Sequence, residues 1–262
     1  MVLKGDLQAE LSGLVERASG GILVALDFDG TLAPIVGDPA EAMAPRAARA
    51  VLVRLVGLAQ RVVVVSGRAQ ADLEGRLGTP GVEARGDFGL LDLTPDERKA
   101  LDECAGRLAR LVRQSPGVRL EVKPKALSIH FRGHERLALP LLAAASRLSE
   151  PLGLNATLGR MVVEVRPPRA DKSRLVGQLI RESGSGGVFY AGDDDGDRST
   201  FAYLASLTLP SLRLGVVSSE VLPEIFDACQ VWVDSPAGVV QALNGLAERL
   251  ARPGRAGPAA GA

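Results

Sequence analysis

The most constraining feature of the sequence is a series of short apolar runs that are each followed at once by polar residues. Residues 21–28 read Gly-Ile-Leu-Val-Ala-Leu-Asp-Phe, and residues 61–66 read Arg-Val-Val-Val-Val-Ser. Nearly continuous apolar runs of this kind are typical of parallel strands that are buried on both faces. Between them, residues 45–60 place apolar side chains at helical spacing and predict an amphipathic helix. Strands that alternate with helices in this way predict an α/β core.

The pattern changes after residue 93, where polar and apolar side chains begin to alternate in the strand-like segments. Such alternation indicates antiparallel strands with one covered face. The segment therefore predicts an α+β unit inserted into the core. Its predicted helices cover residues 95–114 and 135–150, and its predicted strands cover residues 118–123, 126–132 and 157–166.

The α/β pattern then returns and runs nearly to the end of the chain. The predicted helices cover residues 171–182, 198–207 and 236–250, and the predicted strands cover residues 187–192, 212–217 and 230–233. The last residues are rich in Gly, Pro and Ala, which predicts disorder. The division we expect is a first core part over 1–93, a cap over 94–168, a second core part over 169–252 and a disordered tail over 253–262.

Composition and charge exclude several classes of function. The 262 residues include 46% apolar and 24% charged residues, as expected for a globular protein with a sizeable core. The 31 basic and 31 acidic residues balance, so nothing in the net charge favours nucleic acid or a membrane surface as a partner. Cys104 and Cys229 are too far apart for a disulfide framework. We expect a cytoplasmic monomer without a signal peptide or membrane span.

The first candidate for chemistry is the pair Asp27 and Asp29, which ends the first predicted core strand and precedes Gly30. Ligands of open α/β sheets bind at the carboxyl ends of the strands. There Asp27 could attack phosphorus as a nucleophile, and Asp29 could act as general acid and base. The same pattern also fits two aspartates that only form a turn or cap a helix after a strand. The pair alone leaves both interpretations open.

An acidic loop follows the predicted strand over residues 187–192. Residues 192–197 read Gly-Asp-Asp-Asp-Gly-Asp. Clustered carboxylates repel one another unless a cation is present, and hard oxygen ligands suit Mg²⁺. We expect Asp193 to be the direct ligand beside the Asp27 carboxylate and the Asp29 carbonyl, with Asp194 or Asp197 supporting it. A solvated acidic loop is the alternative.

Two further segments could bind phosphate. Ser66 and Gly67 end the second core strand, where a hydroxyl and free N–H groups form an anion site. Lys172 begins a predicted helix and could neutralise a phosphoryl group and orient Asp27. A serine that caps a helix and a solvent-facing lysine are the ordinary alternatives. The order of the four features along the chain is more specific than any one of them.

With these motifs the sequence resembles the haloacid dehalogenase-like phosphatases. Residues 26–32, Leu-Asp-Phe-Asp-Gly-Thr-Leu, are similar to the first motif of that superfamily, and Ser66, Lys172 and residues 192–194 are similar to the other three. Within the superfamily the chain resembles the trehalose-6-phosphate phosphatases. That similarity rests on these segments: Val-Ser-Gly-Arg at 65–68, Glu-Val-Lys at 121–123, Ser-Ile-His-Phe-Arg at 128–132 and Gly-Arg-Met-Val-Val-Glu-Val-Arg-Pro at 159–167.

The resemblance implies a Rossmann-like core with a cap that closes over a sugar. It also implies Mg²⁺-dependent hydrolysis of trehalose 6-phosphate through an aspartyl-phosphate on Asp27, with Asp29 and Lys172 also catalytic. The implied phosphate-binding residues are Thr31, Ser66, Gly67 and Lys172. The implied substrate-binding residues are Arg68, Lys123, His130, Arg132 and Glu164. The implied metal ligands are Asp27, Asp29, Asp193 and Asp194.

The sequence departs from the family pattern at four positions. Gly196 and Arg198 replace a threonine and a glutamate of the last motif, Phe88 stands in place of a histidine, and Ser173 replaces a glycine. These changes keep open a related phosphorylated disaccharide, pseudo-disaccharide or glycosyl phosphoglycerate as substrate. A phosphomutase and a non-catalytic sugar-phosphate-binding protein are further alternatives.

Overall fold

The computed structural model describes residues 2–218, 220–221 and 223–252, which contain two separate β-sheets. The predicted disordered tail, residues 253–262, lies outside the described residues. The strands are β1 (Val2–Lys4), β2 (Ile22–Leu26), β3 (Arg61–Val65), β4 (Glu83–Arg85), β5 (Arg119–Val122), β6 (Leu127–His130), β7 (Asn155–Gly159), β8 (Val162–Arg166), β9 (Gly187–Gly192), β10 (Ser211–Val216) and β11 (Val231–Val233). The α-helices are α1 (Leu7–Arg17), α2 (Arg46–Val56), α3 (Gln70–Leu77), α4 (Pro95–Val112), α5 (Ala138–Ser149), α6 (Lys172–Ser183), α7 (Asp195–Ser206) and α8 (Pro236–Leu250).

The larger sheet has the strand order β1-β11-β10-β9-β2-β3-β4. All neighbouring pairs are parallel except β1 with β11. Every residue of β2 and β9 is buried, because helices cover both faces of the sheet. Side chains of α1, α2 and α8 pack on one face, and those of α6 and α7 pack on the other. The predicted α/β class is therefore confirmed.

The smaller sheet has the order β5-β6-β8-β7, and all its pairs are antiparallel. One face packs on α4 and α5 through a separate apolar cluster that includes Leu108, Ile129 and Val163. Because side chains alternate across a strand, Ser128 and Glu164 lie on the opposite face, which looks toward the larger sheet. We propose the predicted boundaries 94–168 for this cap.

The single strand predicted over 157–166 is wrong, because the structure shows a hairpin there. Strands β7 and β8 pair antiparallel and are joined at Arg160 and Met161. Met161 takes a left-handed conformation with φ of 57°, which an apolar residue rarely adopts. The hairpin brings Arg160 to the tip of the cap, close to the core.

Three other differences concern where helices and strands begin. Helix α7 begins at Asp195 instead of the predicted 198, because Asp194 caps it and forms a capping box with Asp197. Helix α1 and strand β1 were not predicted; Asp6 caps that helix. None of the helices in the described residues is long and apolar enough to cross a bilayer.

Candidate active site

Three of the predicted site residues follow directly after neighbouring strands of the larger sheet. Asp27 follows β2, Ser66 follows β3 and Asp193 follows β9, and β2 lies between the other two strands. The N–H group of Asp27 donates to the carbonyl of Ala191 at 2.9 Å, so the strand pairing continues to the site itself. Parallel strands thus bring together residues that are up to 166 positions apart in the chain, counted from Asp27 to Asp193.

Lys172 is buried and binds two carboxylates. Its Nζ donates to Oδ1 of Asp27 and to Oδ1 of Asp197, each at 2.7 Å. The lysine side chain is only 5% exposed, because α6 begins at this residue and points it into the sheet edge. The solvent-facing alternative for Lys172 is therefore excluded, and its ammonium group lies beside the predicted nucleophile.

The buried carboxylate of Asp197 accepts hydrogen bonds from several members of the cluster. Besides Lys172, the hydroxyl of Tyr190 donates to its Oδ1 at 2.6 Å. The N–H groups of Asp193 and Asp194 donate to its Oδ2 at 3.0 and 3.4 Å. Four donors thus occupy this one carboxylate. Asp197 fixes both the lysine and the loop that carries Asp193, whereas the sequence predicted it only as a supporting or alternative metal ligand.

The carboxylates of the cluster carry more negative charge than their partners neutralise. Burial raises the pKa of Asp27 to about 8, although Lys172 opposes the shift, and Asp197 and Asp194 add to it. Burial and the neighbouring carboxylates also raise the pKa of Asp193 well above its ordinary value. Burial raises the pKa of Asp194 to about 6. A bound cation would favour the ionised carboxylates by relieving their mutual repulsion.

The donor set fits a divalent cation. Carboxylate oxygens of Asp27, Asp193 and Asp197 lie within 4.8 Å of one another. Four donors already occupy Asp197, which leaves Asp27 and Asp193 as the members of this group that could bind a cation. Gly30, with φ of 81°, lets the chain approach closely, because a side chain there would overlap the Asp193 carboxylate. Hard oxygen ligands in a tight space of this kind suit Mg²⁺.

Two predicted metal ligands stand outside that group of three. Both carboxylate oxygens of Asp29 bind Arg68, so its predicted contribution remains the main-chain carbonyl. Asp194 caps α7 with Oδ1 and accepts the N–H of Arg160 with Oδ2 at 3.3 Å. Thr31, predicted to bind phosphate, is fully buried, and its hydroxyl donates to Asp193 at 3.5 Å. These three roles stay predictions.

Arg68 makes a two-point ion pair with Asp29. Its Nε and Nη2 lie 2.7 Å from the two oxygens of Asp29, and its Nη1 lies 2.8 Å from Asp72. Paired donors on a planar guanidinium make this a strong and directional contact. The predicted proton transfer by Asp29 would therefore require that it first release Arg68.

Ser66 and Gly67 line the cavity beside Asp27. The Oγ of Ser66 accepts the N–H of Arg68 at 3.2 Å, which leaves its hydroxyl hydrogen to be donated. Helix α3 begins after Ala69, so Ser66 is not its N-cap residue. The ring of Phe88 lies against Gly67, where any side chain would overlap it.

The cap contributes an ion pair to the opposite wall of the cavity. Nζ of Lys123 lies 2.9 Å from Oε1 of Glu164, and the hydroxyl of Ser128 donates to the same oxygen at 3.1 Å. His130 lies 2.7 Å from Glu121 on the neighbouring strand. Lys123, Glu164 and His130 line a cavity of about 390 Å³ together with the core residues. The predicted cap residues and the predicted core residues thus face a common space.

Arg160 is the residue that sequence reasoning missed. It sits at the tip of the β7–β8 hairpin, and its Nη1 lies 3.0 Å from Oδ2 of Asp193. Its Nε lies 2.6 Å from Oε2 of Glu220, a core residue that also binds Arg132 at 2.7 Å. The signal that could have identified it is a glycine followed by a charged residue inside an otherwise apolar run.

The four departures from the family pattern are placed differently. Arg198 is exposed and lies 3.8 Å from Asp195 at the surface. Ser173 donates to Asp171 at the start of α6. Gly196 donates its N–H to Asp194 at 2.9 Å, within the cap of α7. The ring of Phe88 packs against Gly67, a predicted phosphate-binding residue. Three departures therefore leave Asp27, Asp193 and Lys172 untouched.

Comparison with known families gives a consistent picture. The trehalose-phosphatase family model matches residues 25–224 of this chain. A trehalose-phosphate phosphatase of Mycobacterium avium is 33% identical over 247 residues, or 87% of this chain. The corresponding protein of Mycobacterium tuberculosis is 33% identical over 259 residues, or 91% of this chain. The chain spans 63% of the length of each of these two relatives.

A similar fold occurs among solved structures. The C-terminal domain of trehalose-6-phosphate phosphatase from C. albicans superposes with a TM-score of 0.77, covering 95% of this chain and 98% of that one. The two sequences are 20% identical, so this likeness concerns the fold. The core and the inserted cap are both included in the superposition, since nearly all of each chain is covered.

Proposed function

Because the chain belongs to the trehalose-phosphatase family, we propose that it is a magnesium-dependent phosphatase that converts trehalose 6-phosphate to trehalose and phosphate. The observation that carries this proposal is the buried contact between Lys172 and Asp27 at the edge of the parallel sheet. The ammonium group of Lys172 is held beside the carboxylate of Asp27. Asp27 in turn lines a cavity that is large enough for a sugar phosphate.

In the first step Asp27 attacks phosphorus. Lys172 binds its Oδ1 at 2.7 Å, so we assign the attack to Oδ2. A bond forms between Oδ2 and phosphorus, the bond from phosphorus to the sugar oxygen breaks, and an aspartyl-phosphate results. Lys172 keeps the carboxylate oriented and offsets part of the charge that develops on the phosphoryl oxygens.

Asp29 would move the protons of both steps. It gives a proton to the departing sugar oxygen and then takes one from the water that attacks the aspartyl-phosphate. That attack breaks the bond between phosphorus and Oδ2 and restores Asp27. Before the first step Asp29 must leave its ion pair with Arg68 and take up a proton, which solvent or the monoanion of the phosphate ester can supply.

The phosphoryl group would lie between the first two strand ends. Ser66 can donate its hydroxyl, and the backbone at Gly67 can approach closely because it carries no side chain. Mg²⁺ would be held by Asp27 and Asp193 and would supply charge stabilisation on the phosphoryl oxygens. The remaining predicted phosphate ligand, Thr31, would orient Asp193 in addition.

The cap would bind the sugar. Lys123 and Glu164 present a donor and an acceptor pair to the cavity, suited to neighbouring sugar hydroxyls. Arg160 and Arg68 also line the cavity and can bind hydroxyl or phosphoryl oxygens. His130 and Arg132 stand at the cavity rim with their partners Glu121 and Glu220.

A phosphate-release assay tests the proposal. The purified chain is mixed with trehalose 6-phosphate, glucose 6-phosphate, sucrose 6-phosphate or a glycosyl phosphoglycerate, with Mg²⁺ or with a chelator. We expect kcat/KM for trehalose 6-phosphate to exceed the others by about tenfold or more, since sites that hydrogen-bond hydroxyls discriminate strongly. Chelation should stop phosphate release.

Each part of the proposal fails on a different result. Release from none of the sugar phosphates would reject a phosphatase, and an isomerised sugar phosphate would indicate a mutase. Equal rates on glucose 6-phosphate would reject trehalose 6-phosphate as the selected substrate. Full activity in chelator would reject the role of Mg²⁺.

We further propose a reducing compartment and a monomeric state. Cys104 and Cys229 are buried free thiols, and burial raises the pKa of Cys104 to about 11, so neither is set up to form a disulfide. Sedimentation of the purified chain tests the second point, and a dimer at working concentrations would contradict it.

A further inference from the structure

Glu220 joins the core to the tip of the cap. It lies on the loop that follows β10, and its two carboxylate oxygens each bind one arginine of the cap. Oε2 lies 2.6 Å from Nε of Arg160, and Oε1 lies 2.7 Å from Nη1 of Arg132. The two arginines come from different strand ends of the cap sheet, so one core carboxylate spans both.

The ion pair of Glu220 with Arg160 is less exposed than its ion pair with Arg132. Arg160 is 16% exposed and Glu220 is 29% exposed, whereas Arg132 is 45% exposed at the rim. The pKa of Glu220 is lowered although burial opposes the shift, because both guanidinium groups favour its ionised form. Glu220 thus combines a partly buried ion pair to Arg160 with an exposed one to Arg132, and a carboxylate shared by two arginines is held more firmly than in a single surface ion pair.

Glu220 also determines where the Arg160 guanidinium can go. In the structure that group bridges Glu220 and Asp193, with Nη1 at 3.0 Å from Asp193. Asp193 is one of the two carboxylates that fit a cation. When Asp193 takes another partner, Glu220 still holds Nε and keeps Arg160 at the cavity wall. Arg160 would otherwise be a long side chain free to sample many rotamers.

We propose that Glu220 is a positioning residue that holds the cap closed on the core and keeps Arg160 and Arg132 directed at the bound sugar phosphate. The inference rests on the proposed function. It assigns Glu220 no contact with substrate and no part in proton transfer. It predicts that Glu220 matters for substrates that touch the cap and matters little for substrates that reach only Asp27.

The kinetic test compares Glu220→Gln with the wild-type chain on two substrates. For trehalose 6-phosphate we expect KM to rise about tenfold, the value of two partly exposed ion pairs. For nitrophenyl phosphate, which is too small to reach the cap, we expect kcat/KM to change by less than about twofold. Glu224→Gln, an exposed glutamate four positions further on, is the matched control and should leave both substrates unaffected.

A second measurement needs no substrate. The N–H of Arg160, at the tip of the hairpin, donates to Oδ2 of Asp194 at 3.3 Å, so it is protected while the tip stays on the core. If Glu220 ties the hairpin tip down, Glu220→Gln should increase hydrogen exchange in the peptide that covers 155–166 at least about threefold. Glu224→Gln should not. Arg132→Gln, which removes one of the two arms, should produce a smaller increase.

The outcomes separate the inference from the proposed function. An unchanged KM for trehalose 6-phosphate, or an equal loss on both substrates, would overturn the positioning role. Unchanged exchange would overturn the tether, whatever the substrate turns out to be. If the wild-type chain does not hydrolyse trehalose 6-phosphate, the proposed function fails, and the exchange result still decides whether Glu220 holds the cap.

Discussion

In the core wall of the cavity, burial and neighbouring carboxylates raise the pKa of Asp27 to about 8. In the cap wall, the pKa of Glu164 is lowered although burial opposes the shift, because Lys123 and Arg166 lie nearby. Asp27 is buried and the Glu164 side chain is only 12% exposed, and each accepts a hydrogen bond from a lysine. Lys172, however, is shared between Asp27 and Asp197, whereas Lys123 binds Glu164 alone among the contacts described above. In the core wall the carboxylates outnumber the cationic side chains, so a bound cation would stabilise them. In the cap wall Glu164 is already paired with Lys123 before substrate binds.

This difference separates chemistry from selection. A group in an unbalanced site gains the most when charge is added or transferred there, which suits phosphoryl transfer. When a sugar hydroxyl binds to the Lys123–Glu164 ion pair, the gain in binding free energy is only the difference between the new hydrogen bond and the contact that it replaces. Such a pair is suited to recognition of the sugar. Changes in the core should therefore affect every substrate, and changes in the cap should affect only those that carry a sugar.

The largest effect is expected for Asp27→Asn. Loss of the nucleophile should lower kcat by about 10⁴-fold or more on both trehalose 6-phosphate and nitrophenyl phosphate. The melting temperature should not fall, because the change removes one of several buried like charges whose ionisation the fold disfavours. Retained turnover on either substrate would show that another group attacks phosphorus.

Asp29→Asn should rank second. Loss of the general acid and base should cost about 10²–10⁴-fold in kcat for the sugar phosphate. The loss should be smaller for nitrophenyl phosphate in the first step, since that leaving group needs no proton. Asp72→Asn, which also removes a carboxylate partner of Arg68, is the matched control and should cost far less. Equal losses in the two variants would mean that Asp29 only holds Arg68.

Lys123→Ala should affect selection more than chemistry. We expect KM for trehalose 6-phosphate to rise about 10- to 100-fold, with kcat/KM for nitrophenyl phosphate little changed. The variant also leaves Glu164 buried without its cation, which should lower the free energy of unfolding by about 1–3 kcal/mol. Lys99→Ala, an exposed lysine of α4, serves as the control for both measurements. A matching loss on both substrates would contradict the separation between cap and core.

The smallest effect is a pH dependence in the cap. A hydrogen bond from Arg169 lowers the pKa of Glu97 to about 2, with the capping box at Thr94 adding to it. Because the pKa of Glu97 is lower in the folded protein, its ion pair with Arg169 contributes fully to stability above the ordinary pKa of 4.5. That contribution is lost as pH falls toward 2. Glu97→Gln should therefore cost less than about 1 kcal/mol near neutral pH and nothing at low pH. Chemical denaturation at several pH values measures this difference, and a gap that widens as pH falls would contradict it.

The positions of the catalytic candidates could be predicted from the sequence because each one directly follows a strand. Apolar runs identify buried strands, and parallel pairing then brings Asp27, Ser66 and Asp193 to one edge of the sheet. Lys172 begins a helix instead, and it was predicted as a site residue from its place between Ser66 and the acidic loop in the order of motifs along the chain. The fold class was predicted from the same apolar runs.

Contacts between distant loops could not be predicted. The turn at Arg160 was hidden because Met161 is apolar and still adopts a left-handed conformation. Glu220 pairs with residues 60 and 88 positions away, and no pattern in its own loop indicates them. Tyr190 reads as one more apolar residue of a buried strand, although its hydroxyl binds Asp197. Pairwise side-chain contacts of this kind depend on the completed fold.

The hydrogen bond from Asp27 to Ala191 has a consequence for how such proteins can diversify. Asp27, the proposed nucleophile, and the strand that precedes Asp193 belong to one hydrogen-bonded sheet, so the spacing of their backbones is set within the core. If the proposed function is correct, a cap taken from a relative would need to supply only a sugar-binding face and a partner for Glu220. Exchange of the proposed cap, residues 94–168, between relatives would then change which sugar phosphate is bound and leave the proposed reaction centre in place.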